Sequence, residues 1–176
     1  MEQYEQYIKV PKDRVAVIIG EKGTTKRELE SNLKLKLDVD SKEGEVRLIS
    51  KDSLALFTAV EVIKAIARGF NPSIAQLLLK TDYTLELMNI TDYAKGKNHM
   101  VRLKGRVIGE SGKSWKTIEE LSGARLTVYG KTIGIIGEGE AVTIAKKGVD
   151  MLLTGAPHNT VFRTLEKWRR HQEPAF

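Results

Sequence analysis

Two stretches of the chain repeat each other, and this repeat limits the possible folds more than any other feature. Val17-Ile18-Ile19-Gly20-Glu21-Lys22-Gly23 returns as Arg106-Val107-Ile108-Gly109-Glu110-Ser111-Gly112, with the glycine pairs 89 residues apart. The same offset sets Leu29 on Ile118, Leu37 on Leu126 and Val39 on Val128. After a slip of two residues, Val46-Arg47-Leu48-Ile49 aligns with Ile133-Gly134-Ile135-Ile136. Each copy then runs through a helical pattern to a glycine, Gly69 and Gly155. A duplicated unit is the simplest account, and 176 residues are enough for two small domains. The expected division is a first domain over 1–80 and a second over 81–176.

The pattern inside each copy is the same. Extended runs predict strands over Tyr4–Val10 and Tyr83–Ile90. A short helix leads into each glycine pair and a second helix follows it. Its apolar positions are Leu29 and Leu33 in one copy and Trp115, Ile118 and Leu121 in the other. β-Branched runs predict strands over 36–40 and 46–50, and again over 125–129 and 132–137. Ser41-Lys42-Glu43-Gly44 and Gly130-Lys131 supply the turns between them. Amphipathic helices over 53–68 and 140–153 close the units, and Asn71-Pro72 and Pro157-His158 each open one further helix. The expected class is α+β, in the order β-α-α-β-β-α with an appended helix, twice.

Composition removes several function classes. Hydrophobic residues make up 41% and charged residues 30%, a globular rather than disordered balance. Cysteine is absent, which rules out disulfides, thiolate metal sites and cysteine nucleophiles. His99, His158 and His171 lie far apart in sequence without a second ligand at metal spacing, so no metal and no cofactor is expected. Met1 to Pro11 is polar and charged, which reads as no signal peptide. No apolar run approaches the roughly 20 residues of a membrane span, and the expectation is a cytoplasmic protein. The net charge of +6 is unevenly placed: Lys95 to Lys116 holds seven basic residues against one acid, Glu110. Such a segment is either a solvated face or the footprint of a polyanion.

The glycine pairs favour the polyanion. Glycines let main chain approach phosphates closely, and the following helix N-terminus offers free N–H groups and a positive dipole end. An apolar floor of Ile108, Ile118, Leu126 and Val128 would then receive unstacked bases. Set between two helices, preceded by Ile-Ile or Val-Ile and followed each time by the same strand pair, the Gly-x-x-Gly turn resembles that of the type I KH domain. The loop of that family clamps about four nucleotides. The candidate RNA-binding residues are Gly20, Glu21, Lys22, Gly23 and Lys26 in the first copy. In the second they are Arg102, Lys104, Arg106, Ile108, Gly109, Glu110, Ser111, Gly112, Lys113, Trp115 and Lys116. Trp115 is either a packing residue of its helix or a platform for a base. The second copy is expected to bind more strongly. There, Arg102, Lys104, Arg106, Lys113 and Lys116 outweigh Glu110, whereas Lys22, Lys26 and Arg27 stand among Glu21, Glu28 and Glu30.

Two nucleotide motifs fail on spacing. Gly112-Lys113-Ser114 ends like a P-loop, but the first glycine of that motif would fall on Val107. Gly137-Glu138-Gly139 begins like a dinucleotide fingerprint, but its third glycine would fall on Val142. No nucleophile–base pair or paired acids form a coherent motif, so no enzyme activity is expected.

Three segments of the second half go further: Gly105 to Gly109, Thr117 to Gly123 and Val128 to Gly137, with its Tyr-Gly-Lys-Thr turn. Together they resemble the Dim/Pno family, the partner of the Nob endonuclease. The resemblance extends over nearly the whole chain and points to the archaeal form. It implies a tandem KH protein of small-ribosomal-subunit assembly that binds single-stranded rRNA near the 3′ end and assists its maturation. It also implies partnership with the Nob-type endonuclease and with a translation initiation factor subunit. The alternative is a general tandem-KH protein of another RNA-processing or translation pathway. This chain departs from the eukaryotic members in keeping Gly20 and Gly23, since their first unit lacks the motif. Glu110 and Trp115 also stand where basic residues are usual.

Overall fold

The computed structural model describes residues 2–175. Contacts divide the chain into two compact units between Thr81 and Asp82.

The first unit runs β1 (Tyr4–Lys9), α1 (Lys12–Ile19), α2 (Thr24–Leu33), β2 (Lys36–Asp40), β3 (Glu45–Ser50) and α3 (Ser53–Ala67). Its three strands form an antiparallel sheet in the order β1-β3-β2, and α3 lies against β1 and β3. The apolar spacing dictates this arrangement. Leu56, Ala59, Ile63 and Ile66 recur every three or four residues along α3 and are buried. They meet a core that includes Leu37 and Leu48, which pair across β2 and β3. Asp52 caps α3 by accepting from the N–H groups of Leu54 and Ala55. The appended helix, α4 (Pro72–Ala75), is one turn long and continues as a 3-10 turn over Gln76–Leu79.

The second unit repeats the order: β4 (Tyr83–Asn89), α5 (Lys97–Ile108), α6 (Lys113–Ser122), β5 (Arg125–Tyr129), β6 (Thr132–Glu138) and α7 (Gly139–Leu153). The sheet order β4-β6-β5 is again antiparallel. The appended helix here is a full α8 (His158–Gln172), packed on α6 and α7 through buried Val161 and Leu165. Gly148 makes room for it, since a Cβ there would lie 3.3 Å from Leu165 Cδ1.

The two-residue slip in the repeat has a plain cause. Asp40 pairs with Glu45 around four turn residues, whereas Tyr129 pairs with Thr132 around Gly130 and Lys131 alone. A larger difference was not legible in the repeat. Val10 and Ile90 are equivalent, because each donates its N–H at 2.8 Å to its unit's hairpin turn, at Gly44 O and Lys131 O. Ten positions separate Val10 from Gly20, and nineteen separate Ile90 from Gly109. The second unit therefore holds inserted chain, which forms a 3-10 turn over Ile90–Asp92 and lengthens α5 to 12 residues against the 8 of α1.

Candidate nucleic-acid interface

Both Gly-x-x-Gly loops begin where a helix closes. Gly20 N–H donates to Ala16 O at 2.9 Å, and Gly109 N–H to Gly105 O at 2.8 Å. The chain then turns sharply. Gly20 has φ 72 and ψ 179, and Gly109 has φ 74 and ψ 174. That region is essentially closed to residues with a Cβ. Two residues on, Lys22 (φ 52, ψ 28) and Ser111 (φ 54, ψ 29) are left-handed, at a cost of roughly 1–2 kcal/mol for a non-glycine residue. Gly23 and Gly112 are left-handed too. Each donates back to the first glycine's carbonyl, at 3.3 and 3.2 Å. The two loops therefore share one backbone shape despite different central residues. Strain held in both copies marks a site that the surrounding fold enforces.

The following helices press this shape home. A Cβ on Gly20 would lie 2.2 Å from Thr25 Oγ1, and one on Gly109 would lie 2.6 Å from Ser114 Cβ. Ser114 is buried, and its hydroxyl has no hydrogen-bond partner. No side chain caps α2 or α6. Their first-turn N–H groups and positive dipole ends stand beside the loops, a setting suited to an anion.

The cations of the second copy divide between two faces of α5. At about 100° per residue, Lys104 shares the face of Ile108, which leads into the loop. Arg102 and Arg106 lie about 120° and 160° around from Ile108. Arg106 is committed elsewhere: its Nε donates to Leu152 O at 2.9 Å and its Nη2 to Ala156 O, so it ties the last turn of α7 to the connection that follows it. His158 Nε2 in turn lies 2.8 Å from Arg106 O. Two of the five cations expected around Glu110 thus point away from it, because proximity in sequence ignores helical phase. Lys113 and Lys116 are exposed at the loop side of α6.

In the first copy, Arg27 Nη1 donates to Lys22 O at 3.0 Å and so braces the left-handed residue. Lys26 pairs with Glu30 at 3.5 Å. Lys22 and Glu21 are exposed. The expected apolar floor is smaller than the sequence suggested. Ile118 and Leu126 are buried in the core of the second unit, which leaves Ile108 and Val128 half-buried. Trp115 packs half-buried against the same core.

Beyond the loops, the Tyr93 hydroxyl donates to Asp150 Oδ1 at 2.7 Å. That bond, with partial burial and the negative charges of Asp150 and Asp92, pushes the phenol up to about 12. No group of three or more His, Asp or Glu side chains among the described residues is placed to hold a metal ion. No helix among them is long and apolar enough to cross a membrane.

Comparison with known proteins points the same way. The family model for the second KH domain of PNO1, a eukaryotic-type (type I) KH domain, matches residues 84–170. A KH domain-containing protein of Methanocaldococcus jannaschii is 47% identical over 169 residues, spanning 94% of this chain and 74% of the relative. The pre-rRNA-processing protein pno1 of Schizosaccharomyces pombe is 30% identical over 137 residues, spanning 76% of this chain and 57% of its own length. Among solved structures, a chain of the a/eIF2alpha–aDim2p–rRNA complex from Pyrococcus horikoshii superposes with a TM-score of 0.90 at 43% identity. The match covers 96% of both chains.

Proposed function

This chain belongs to the PNO1/Dim2 family of KH-domain proteins, and we propose that it grips single-stranded rRNA of the small subunit near its 3′ end, using both Gly-x-x-Gly loops. It is an RNA-binding protein of small-subunit rRNA processing, in keeping with its pre-rRNA-processing relatives and the rRNA complex of aDim2p. The observation that carries the finer reading is the shared backbone of the two loops, each with an uncapped helix N-terminus beside it. Main chain of this shape receives phosphates by N–H donation whatever the central side chains are.

We read each unit, 1–80 and 81–176, as one type I KH domain. Support comes from the repeated element order and the repeated sheet order. In this reading the contacts are Gly20 to Gly23 with Lys26 in the first unit. In the second they are Lys104, Ile108, Gly109 to Gly112, Lys113, Trp115 and Lys116. Arg106 has a structural task instead, and Arg102 faces away from the loop. The protein binds and presents RNA rather than cutting it. A Nob-type endonuclease would perform the cut, and the a/eIF2alpha of the archaeal complex indicates a second protein partner. Its setting would be the cytoplasm.

Crosslinking the protein to total cellular RNA and mapping the sites tests this. Crosslinks should concentrate near the 3′ end of small-subunit rRNA. Crosslinks dispersed over unrelated RNAs would favour a general RNA-binding protein.

A further inference from the structure

The inserted chain of the second unit lines two adjoining cavities of about 590 and 580 Å³ on the far side of α5. His99 and Arg102 border both. Lys95 and Lys97 border one, and Tyr93 and Arg106 the other. Lys95, Lys97 and Arg102 are exposed and make no ion pair or side-chain hydrogen bond among the described residues. Lys95 N–H donates to His99 Nδ1 at 3.0 Å, which leaves the proton of the neutral ring on Nε2 as a further donor. The nearby carboxylates are Asp92 and Asp150, and Asp150 already accepts from Tyr93.

We propose that this face of α5 is a second phosphate-backbone site, which holds RNA flanking the strand gripped by the Gly109–Gly112 loop. The inference rests on the RNA-binding function argued above. Three observations carry it. The segment from Asp92 to Gly96 and the first turn of α5 have no counterpart in the first unit, so the repeated fold does not require them. This extra chain supplies Lys95, Lys97 and His99, all donors. Finally, His99 lies about 180° around α5 from Ile108 and about 13–14 Å along it, so the two sites are separated by the width of one helix and about two to three of its turns. RNA leaving the loop passes within reach, and once the loop is filled the second contact is effectively intramolecular. The Tyr93 hydroxyl is engaged by Asp150, and the exposed groups at this face are the cations Lys95, Lys97 and Arg102, so the site reads backbone charge rather than splayed bases.

The test compares two RNAs on the full chain, wild type and the Lys95→Gln/Lys97→Gln variant. One RNA is a single strand of about four to six nucleotides, enough to fill a loop. The other carries the same strand extended by a base-paired stem. Wild type should bind the extended RNA more tightly. The variant should lose about tenfold for the extended RNA, with a salt slope shallower by about one to two. Its affinity for the short strand should stay within about twofold, because the lysines lie at the far end of α5, about 16 Å or more along the helix from the loop and well beyond a Debye length. Circular dichroism confirms folding. Equal losses for both RNAs, or no loss for either, overturn the proposal, as does a poly-glutamate peptide that binds this face while the stem adds nothing. Failure of the short strand to bind wild type would instead overturn the function itself.

Discussion

Gly109 stands so close to Ser114 that a Cβ on the glycine would lie 2.6 Å from the Ser114 Cβ. The following helix leaves no space for any other residue at this position, and the backbone there is already in glycine's own region. Gly109→Ala should therefore cost about 3 kcal/mol or more, from strain plus clash. Gly112→Ala meets no atom within 4 Å and should cost only about 1–2 kcal/mol for its left-handed backbone. Urea denaturation of the two variants checks the order. A Gly112→Ala variant less stable than Gly109→Ala would contradict it.

Arg106 should behave as a structural residue. Its guanidinium serves one carbonyl in the last turn of α7, Leu152 O, and one in the connection after it, Ala156 O. Arg106→Leu should lower the stability of the second unit by about 2 kcal/mol. Short single-stranded RNA should bind the folded variant nearly as well as wild type. Thermal unfolding and a binding isotherm on the same sample separate the two effects.

Tyr93 provides a pH signature. Its phenol is held protonated up to about 12, first by the bond to Asp150. A pKa raised in the folded state stabilises the fold fully below the ordinary tyrosine value of about 10 and loses that contribution as pH rises through about 12. Tyr93→Phe should remove one late-ionising phenol from an ultraviolet titration. Stability at neutral pH should fall by no more than about 1 kcal/mol, because the pair is partly solvated.

RNA binding should weaken steeply with salt. Lys22, Lys104, Lys113 and Lys116 are cations on the loop sides that make no ion pair among the described residues. If three or four phosphates are neutralised, log K should fall with log salt at a slope of about −2 to −3 for a single strand. Titrations across a range of salt measure it, and a flat profile would contradict the electrostatic account.

The repeat made most of this fold legible. The strands Lys36–Asp40 and Arg125–Tyr129 lie where their β-branched runs predict, and Ser53–Ala67 fills its amphipathic period. What stayed hidden depends on direction and on close approach. Arg102, Lys104 and Arg106 look alike in a basic run, and only the phase of α5 sends them to different faces. Ile118 and Leu126 look like a floor for bases, but both are buried in the core of the second unit. The contact between Gly109 and Ser114 leaves no trace in composition. The spacing from Ile90 to Gly109, longer than that from Val10 to Gly20, was the available signal for the insertion.

Both loops should clamp RNA, and the second should contribute more. Glu110→Asp with Ser111→Asp places two acids in one loop, and Asp tolerates the left-handed position of Ser111. Glu21→Asp with Lys22→Asp does the same in the other. Fluorescence anisotropy with single-stranded RNA should show both variants weakened while circular dichroism stays native. The loss should be greater in the second unit, where Lys113 and Lys116 make no ion pair among the described residues, than in the first, where Lys26 already faces Glu30. Undiminished affinity in both folded variants would contradict the clamp, and a larger loss in the first unit would make Gly20–Gly23 the principal grip.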